Sequence, residues 1–121
     1  MTDHELYERA VAAAARAYAP YSNYPVGAAV LARDGSVIEG VNVENAAYPL
    51  GTCAERTALA GAVVAGYRPG ELEAIGITAS PCGGCRQWLV EFRLDRVVYQ
   101  DNHGDIVTRT PDELLPDTFA L

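Results

Sequence analysis

The sequence contains no lysine, and its nine arginines are scattered among sixteen acidic side chains over 121 residues. The formal net charge is −7. Phosphate binding needs clustered basic side chains, so this balance disfavours a nucleic acid as a partner. A small ligand without phosphate groups is compatible with such an acidic surface.

The sequence also has no apolar run long enough to span a membrane. The polar, acidic residues Met1–Glu5 do not resemble a secretory signal peptide. Only three cysteines occur, and an odd number argues against a disulfide framework and for a reducing compartment. We therefore expect a cytoplasmic protein that makes no membrane contact and forms one domain over residues 1–121.

The three cysteines have the spacing of a metal site. Cys53 stands alone, whereas Cys82 and Cys85 form a C-x-x-C pair whose side chains can share one ion on a helical turn. A structural zinc site normally has four protein ligands, but there is no fourth cysteine, and His4 and His103 lack ligand-like spacing. Catalytic zinc has three protein ligands and an open position. The pattern predicts catalytic Zn²⁺ bound by these three cysteines.

Glu55 follows Cys53 by two residues and is the candidate proton carrier beside the metal. An alternative is structural, because Thr52 and Glu55 have the spacing of a helix capping box. The neighbouring Arg56 is placed to offset the negative charge of three thiolates by hydrogen bonds to sulfur.

Both metal-binding segments read as helix starts. Thr52 is the predicted N-cap of one helix, with Cys53 opening it, and Ser80 followed by Pro81 predicts the N-cap and first turn of the second. All three sulfurs would then lie at helix N-termini, where the helix dipole and free N–H groups favour thiolate.

The periodicity of apolar residues predicts the element order α-β-β-α-β-α-β-β, followed by a short final helix. This order indicates an α/β layered fold around a mixed five-stranded sheet, with a parallel pairing after the strand-helix-strand crossover. The predicted helices cover about 2–18, 53–65, 82–93 and 112–115, and the predicted strands cover 26–33, 36–43, 72–79, 96–100 and 105–108.

Asn42 and Glu44 lie at the end of the second predicted strand. They are two residues apart and therefore face the same side. Two polar groups that project together suit the hydroxyl groups of a sugar, although an ordinary polar strand end has the same residue types.

Several motifs in order along the chain carry a family resemblance. From the N-terminus they are YSNYPVGAA from Tyr21, NVENAAY from Asn42, CAERTAL from Cys53, SPCGGCRQ from Ser80 and ELLP from Glu113. Together they resemble the small, homotetrameric, zinc-dependent cytidine deaminases. The resemblance implies a three-layer α-β-α fold and zinc-dependent hydrolysis of cytidine and deoxycytidine to uridine and deoxyuridine.

The resemblance also implies roles for individual residues. Glu55 would take a proton from the attacking water, deliver it to N3 of the ring and help protonate the leaving amine. Asn42 and Glu44 would hold the ribose, and Tyr24, where the family usually has Phe, would stack near the pyrimidine. Ala54 and Tyr48 would also contact the substrate, and Phe119 would reach the site of a neighbouring subunit in a homotetramer.

One segment departs from the family pattern. Ala79-Ser80 runs almost directly into Pro81 and the cysteine pair, so this stretch is several residues shorter than the resemblance leads us to expect. Because this loop lies beside the pocket in the family, a shorter loop could admit larger substrates. The alternative function is therefore deamination of another aminopyrimidine nucleoside, such as blasticidin S or a modified cytidine. A non-catalytic zinc protein is the third possibility. A deaminase that edits nucleic acids is the least favoured function, because the protein has a net negative charge.

Overall fold

The computed structural model describes residues 1–121 and contains the predicted elements in the predicted order. A single turn of 3-10 helix at Tyr48–Leu50 precedes the second α-helix. The helices are α1 (Asp3–Ala14), α2 (Ala54–Val64), α3 (Gly83–Glu91) and α4 (Pro111–Leu114), and the strands are β1 (Gly27–Ala32), β2 (Val37–Val41), β3 (Leu72–Ile77), β4 (Arg96–Gln100) and β5 (Ile106–Arg109).

The five strands form one mixed sheet in the order β2-β1-β3-β4-β5. Only β3 and β4 pair in parallel. The parallel pairing expected after the crossover through α2 does not form between β2 and β3, because β1 lies between them and pairs antiparallel with both. The parallel partner of β3 is β4. The mixed α/β fold itself is confirmed.

Helices cover both faces of the sheet, which explains why every residue of β1 is buried. Ala28 and Val30 belong to the larger core cluster with α2 and α3, whereas Ala29 and Leu31 pack with Leu6 of α1. Alternate residues of one strand thus contribute to two cores, as the period of two requires. The resulting layers are helix, sheet and helix.

The first helix begins as predicted and ends earlier than predicted. Thr2 and Glu5 form a reciprocal capping box. The helix stops at Ala14 because the backbone of Tyr18 pairs with the segment after β2, donating to Asn42 O at 3.1 Å and accepting from Glu44 N at 2.8 Å. This pairing brings the loop after α1 beside the end of β2.

Helix α2 lies directly against β2 because residue 40 is glycine. A Cβ atom at Gly40 would overlap the backbone of Ala54 and Ala58. Thr57 adds a side-chain link, since its hydroxyl donates to Val41 O at 2.8 Å and accepts from Val41 N at 3.0 Å. The start of α2 is therefore fixed beside the end of β2.

None of the helices combines the length and the apolar character needed to cross a lipid bilayer.

Candidate active site

The three cysteine sulfurs converge where α2 and α3 begin. Their Sγ atoms all lie within 4.8 Å of one another, and those of Cys53 and Cys82 are 4.0 Å apart. Four-coordinate zinc with Zn–S distances of about 2.3 Å separates its sulfurs by about 3.8 Å. No fourth Cys, His, Asp or Glu joins the group. The donor set and its spacing fit a zinc ion held by three thiolates, and the missing fourth protein ligand disfavours a purely structural site.

The helix starts differ from the prediction by one or two residues. Cys53 itself is the N-cap of α2, because the backbone of Thr52 is paired with Val43 through hydrogen bonds of 2.9 and 3.0 Å. The prediction of Thr52 as the N-cap is therefore wrong, the alternative of a Thr52–Glu55 capping box is not observed, and α2 has no side-chain cap. The Glu55 carboxyl therefore does not cap the helix and is available for other contacts in the site.

Cys82, and not Ser80, is the N-cap of α3. Ser80 and Pro81 precede the helix and are held by Arg86, whose guanidinium donates to Ser80 Oγ at 3.2 Å and to Pro81 O at 2.9 Å. Two sulfurs are thus on N-cap residues and Cys85 lies in the first turn, so all three lie at helix N-termini as predicted.

Among the three thiols, only Cys82 has a pKa below its usual value. Burial raises the pKa of the Cys53 and Cys85 thiols. Burial also opposes ionisation of Cys82, but hydrogen bonding by the Cys85 backbone and by the other thiols brings the pKa of Cys82 below its usual value. Helix N-termini alone do not ionise the three sulfurs together, so the cluster needs a cation to do so.

Arg56 supplies positive charge behind the sulfurs. Hydrogen bonding with the Cys85 side chain raises the pKa of Arg56 further above neutrality. Its guanidinium lies against Gly84, where a Cβ atom would overlap it, and its buried Nε has no hydrogen-bond partner. The glycine between the paired cysteines makes room for this cation beside the anionic ligands.

Glu55 is the only charged side chain in the core, with 4% of its surface exposed. Burial raises the pKa of its carboxyl. It lines a pocket of about 320 Å³ together with Cys53 and Cys82, within the size range of small-molecule sites. A buried carboxyl group with a raised pKa thus lies beside the three-sulfur cluster.

The pocket contains eight of the eleven residues predicted for the site. Cys85 and Arg56 lie behind its wall, and Phe119 does not line it. The predicted site residues in the pocket wall are Tyr24, Asn42, Glu44, Tyr48, Cys53, Ala54, Glu55 and Cys82. Seven further residues line the pocket but were not predicted from the sequence: Val26, Val43, Asn45, Gly51, Thr52, Ala79 and Ser80. All seven lie within three residues of a predicted site residue in the sequence, and this proximity is the signal that the sequence offers.

Asn42 fastens the loop that carries Tyr24. Its Nδ2 donates to Tyr24 O at 2.9 Å, and its Oδ1 accepts from Val26 N at 2.8 Å. One N–H and one lone pair of the amide remain for a ligand.

Glu44 is held by the same loop. Its Oε1 accepts from the backbone N–H groups of Tyr21 at 2.9 Å and Ser22 at 3.1 Å, and its Oε2 accepts from the Ser22 hydroxyl. Hydrogen bonds from Ser22 hold the pKa of Glu44 below its usual value. Glu44 is therefore an ionised acceptor with about one of its four lone-pair positions left.

The three aromatic residues predicted for the site are all widely exposed, with Tyr24 at 61%. Tyr48 is 80% exposed at the pocket rim, and Phe119 is 71% exposed with only its carbonyl bound, to Gln87 at 3.3 Å. Phe119 has no place in the pocket of its own chain.

The comparisons with known proteins agree with this geometry. Residues 1–101 match the family model described as the cytidine and deoxycytidylate deaminase zinc-binding region. A cytidine deaminase from Halalkalibacterium halodurans is 48% identical, over 95% of this chain and 92% of that protein, and one from Mycobacterium tuberculosis is 40% identical, over 93% and 85%. A crystal structure of cytidine deaminase from Burkholderia pseudomallei superimposes with a TM-score of 0.91 at 50% identity, covering 98% of this chain and all of that one.

The fold and the three-sulfur site are those of a zinc-binding deaminase. The chain belongs to the cytidine and deoxycytidylate deaminase family. The family resemblance, the α/β fold and zinc as the cofactor are confirmed.

Proposed function

We propose that the protein catalyses the hydrolytic deamination of cytidine and deoxycytidine to uridine and deoxyuridine, with release of ammonia. One observation carries the proposal: a single pocket joins the three-sulfur cluster and a buried carboxyl at one end to an amide and a carboxylate at the other. The names of the relatives favour cytidine over a modified nucleoside as the substrate. Residues 1–121 act as one catalytic domain in this proposal.

Cys53, Cys82 and Cys85 would hold the zinc ion. When bound, zinc supplies Lewis-acid chemistry that makes water a nucleophile near neutral pH. Arg56 moderates the charge of the three thiolates from behind, through its contact with Cys85.

Glu55 is the proton carrier. It accepts a proton from water as the water oxygen bonds to C4 of the ring, and it delivers that proton to N3. It then moves the second proton of the water oxygen to the amino group, so that the C4–N bond breaks and ammonia leaves. Burial keeps both transfers local, because bulk water has little access to the carboxyl.

Asn42 and Glu44 bind the sugar. The remaining lone pair of Glu44 accepts a hydrogen bond from a sugar hydroxyl, and the remaining N–H of Asn42 donates to the same oxygen. A hydroxyl group can do both at once, whereas an ether oxygen or a methylene cannot. This pair therefore selects a nucleoside with a free sugar hydroxyl.

The pocket favours a nucleoside over a nucleotide. No Arg, Lys or His side chain lines it, and Glu44 places a negative charge at the sugar end. A phosphate group there would lack a counter-charge. Tyr24, Ala54 and Tyr48 lie in the wall, where they can contact the pyrimidine or the sugar.

The proposed assembly is a cytoplasmic homotetramer with shared sites. Phe119 is exposed and lies outside its own pocket, which supports a role in the pocket of a neighbouring subunit. A second, largely apolar groove on α2 and α3 contains Val63, Trp88 and Phe92 and offers a surface for another copy. Light scattering after gel filtration should give about four times the mass of one 12.9-kDa chain, and a monomer with full activity would contradict shared sites.

The reaction is tested by the ultraviolet absorbance change of cytidine and deoxycytidine with purified protein, before and after treatment with a zinc chelator. We expect turnover of both nucleosides, loss of turnover with the chelator and recovery with added Zn²⁺. Cytidine 5′-monophosphate and 5-methylcytidine serve as comparison substrates. Failure to deaminate cytidine by zinc-loaded protein would overturn the proposal.

A further inference from the structure

We infer that Ser22 is a positioning residue whose hydroxyl orients the Glu44 carboxylate toward the sugar. The inference rests on the proposed function, because it takes Glu44 as the acceptor of a sugar hydroxyl. Ser22 does not line the pocket. It would therefore act on the substrate only through Glu44.

The geometry gives Ser22 two contacts with one carboxylate. Its backbone N–H donates to Oε1 of Glu44 at 3.1 Å, and its hydroxyl donates to Oε2. The other donor to Glu44 is a backbone N–H, that of Tyr21 at 2.9 Å. The Ser22 hydroxyl is thus the only side-chain group that fixes Oε2, and it is the one donor that a substitution can remove without changing the backbone.

The same hydroxyl also contacts the segment that bears the aromatic wall. Ser22 Oγ accepts from the backbone N–H of Tyr24 at 3.1 Å while it donates to Glu44. Asn42 holds the far side of this segment through Tyr24 O. The Ser22 hydroxyl oxygen therefore contacts both the Tyr24 backbone and the Glu44 carboxylate, and it fixes the two relative to each other.

Removing the hydroxyl should affect substrate binding and leave the chemical step intact. Oε2 would lose its oriented donor and rotate or take up water, so the sugar hydroxyl would meet a less ordered acceptor. Charge-assisted hydrogen bonds of this kind correspond to roughly a tenfold change in affinity at a partly exposed site. Proton transfer by Glu55 takes place at the opposite end of the pocket.

The test compares Ser22→Ala, Ser22→Thr and Ser36→Ala on cytidine, deoxycytidine and 2′,3′-dideoxycytidine. Ser36 is an exposed loop serine in the turn between β1 and β2, far along the sheet from the pocket, and serves as the matched control. For Ser22→Ala we expect KM for cytidine and deoxycytidine to rise about tenfold with kcat within twofold of wild type. KM for the dideoxy substrate should not change, because it has no 3′-hydroxyl, and Ser22→Thr should restore most of the loss.

A double-mutant cycle distinguishes an effect that acts through Glu44 from a general disturbance of the loop. In a Glu44→Gln background, Ser22→Ala should add no further increase in KM. An unchanged KM for Ser22→Ala, an equal loss on the dideoxy substrate, or full additivity with Glu44→Gln would each overturn the inference.

The two proposals fail in different ways. If the wild-type protein does not deaminate cytidine, the proposed function fails, and equilibrium binding of uridine and 2′,3′-dideoxyuridine to the same variants then decides the role of Ser22. Weaker binding of uridine alone to Ser22→Ala would support it, and equal binding by wild type and variant would contradict it.

Discussion

The two ends of the pocket are built in different ways. The metal end, consisting of Cys53, Glu55, Cys82 and Cys85, lies where two core helices begin, and both Glu55 and Cys85 are buried. The other end, where we propose that the sugar binds, consists of Asn42, Glu44 and the loop 21–26. This sugar end lies beyond the last residue of β2 and is held by side-chain hydrogen bonds to exposed backbone. Packing fixes the first end, and a hydrogen-bonded loop fixes the second.

This difference predicts a division of labour. Positions set by a close-packed core change little with the ligand, which suits bond breaking that needs fixed geometry. Positions set by a surface loop tolerate change with a smaller loss of stability. Variants of the metal end should therefore affect kcat or metal content, and variants of the sugar end should affect KM.

The largest effect is expected for Cys82→Ala. Loss of one sulfur should remove zinc and lower kcat by at least about 10⁵-fold, because water then regains its ordinary pKa of about 15.7 in place of about 7. Cys82 is exposed, so little packing is lost. The Tm should fall below that of zinc-loaded wild type, and the difference should disappear when both proteins are chelated. A persistent Tm difference would assign Cys82 a role in packing and weaken the contrast between the ends.

Glu55→Gln should separate chemistry from metal binding at the same end. Gln is nearly isosteric, but its amide neither accepts nor releases a proton near neutral pH, so kcat should fall by about 10²–10⁴-fold. Zinc content by elemental analysis should stay at the wild-type level, and KM should change little. Full activity in this variant would exclude Glu55 as the proton carrier, whereas loss of zinc would show that the carboxylate supports the ligands.

Asn42→Ala tests the sugar end. The change leaves Tyr24 O and Val26 N without their side-chain partner and removes the donor to the sugar. We expect KM to rise about tenfold to a hundredfold, kcat to stay within a few fold, and the free energy of unfolding to fall by about 1–3 kcal/mol. Asn102→Ala, in the exposed turn before β5, is the control. A fall in kcat without a rise in KM would show that the loop shapes the metal end as well.

The smallest effect is expected for Asp95→Asn, remote from both ends. Hydrogen bonds from Arg33, at 2.9 and 3.0 Å, hold the pKa of Asp95 below its usual value. A lowered folded-state pKa stabilises the fold above the unfolded-state pKa of about 3.9, and this contribution is lost as pH falls through the folded-state pKa.

Surface pairs of this kind contribute little, so Tm should drop by only a few degrees at pH 7. The difference should be constant from pH 8 to pH 5 and shrink below about pH 4, while kcat and KM remain at wild-type values. A change in either kinetic constant would show that distant surface charge reaches the pocket.

The metal end could be predicted from the sequence because its signal is local. Cys82 and Cys85 share one helical turn, and Glu55 follows Cys53 closely, so spacing predicts each half of the site. That the two halves meet, although Cys53 and Cys82 are 29 residues apart, was predicted from the three protein ligands that a catalytic zinc needs. The Thr2–Glu5 capping box is equally local and is present. The N-caps were misplaced because Thr52 pairs with Val43, a tertiary contact that outweighs its intrinsic preference for capping.

The rest of the pocket depends on contacts between distant segments. Ser22 and Glu44 are 22 residues apart, and no periodicity or motif signals their hydrogen bonds. The insertion of β1 between β2 and β3 is likewise a matter of sheet order, which the pattern of strands and helices does not determine. The substrate-binding roles of Tyr24, Tyr48, Ala54, Phe119, Asn42 and Glu44 stay predictions, as does the catalytic role of Glu55.

The contact of Gly40 with Ala54 and Ala58 sets how this pocket can change during evolution. Backbone meets backbone there, so the distance between the two ends cannot be adjusted gradually by exchanging larger and smaller side chains. Adaptation to a longer or bulkier nucleoside would have to come from the connections around the rim, such as the short segment 78–81 between β3 and Cys82. Substitutions in these rim connections can change the substrate preference without moving the residues of the metal end.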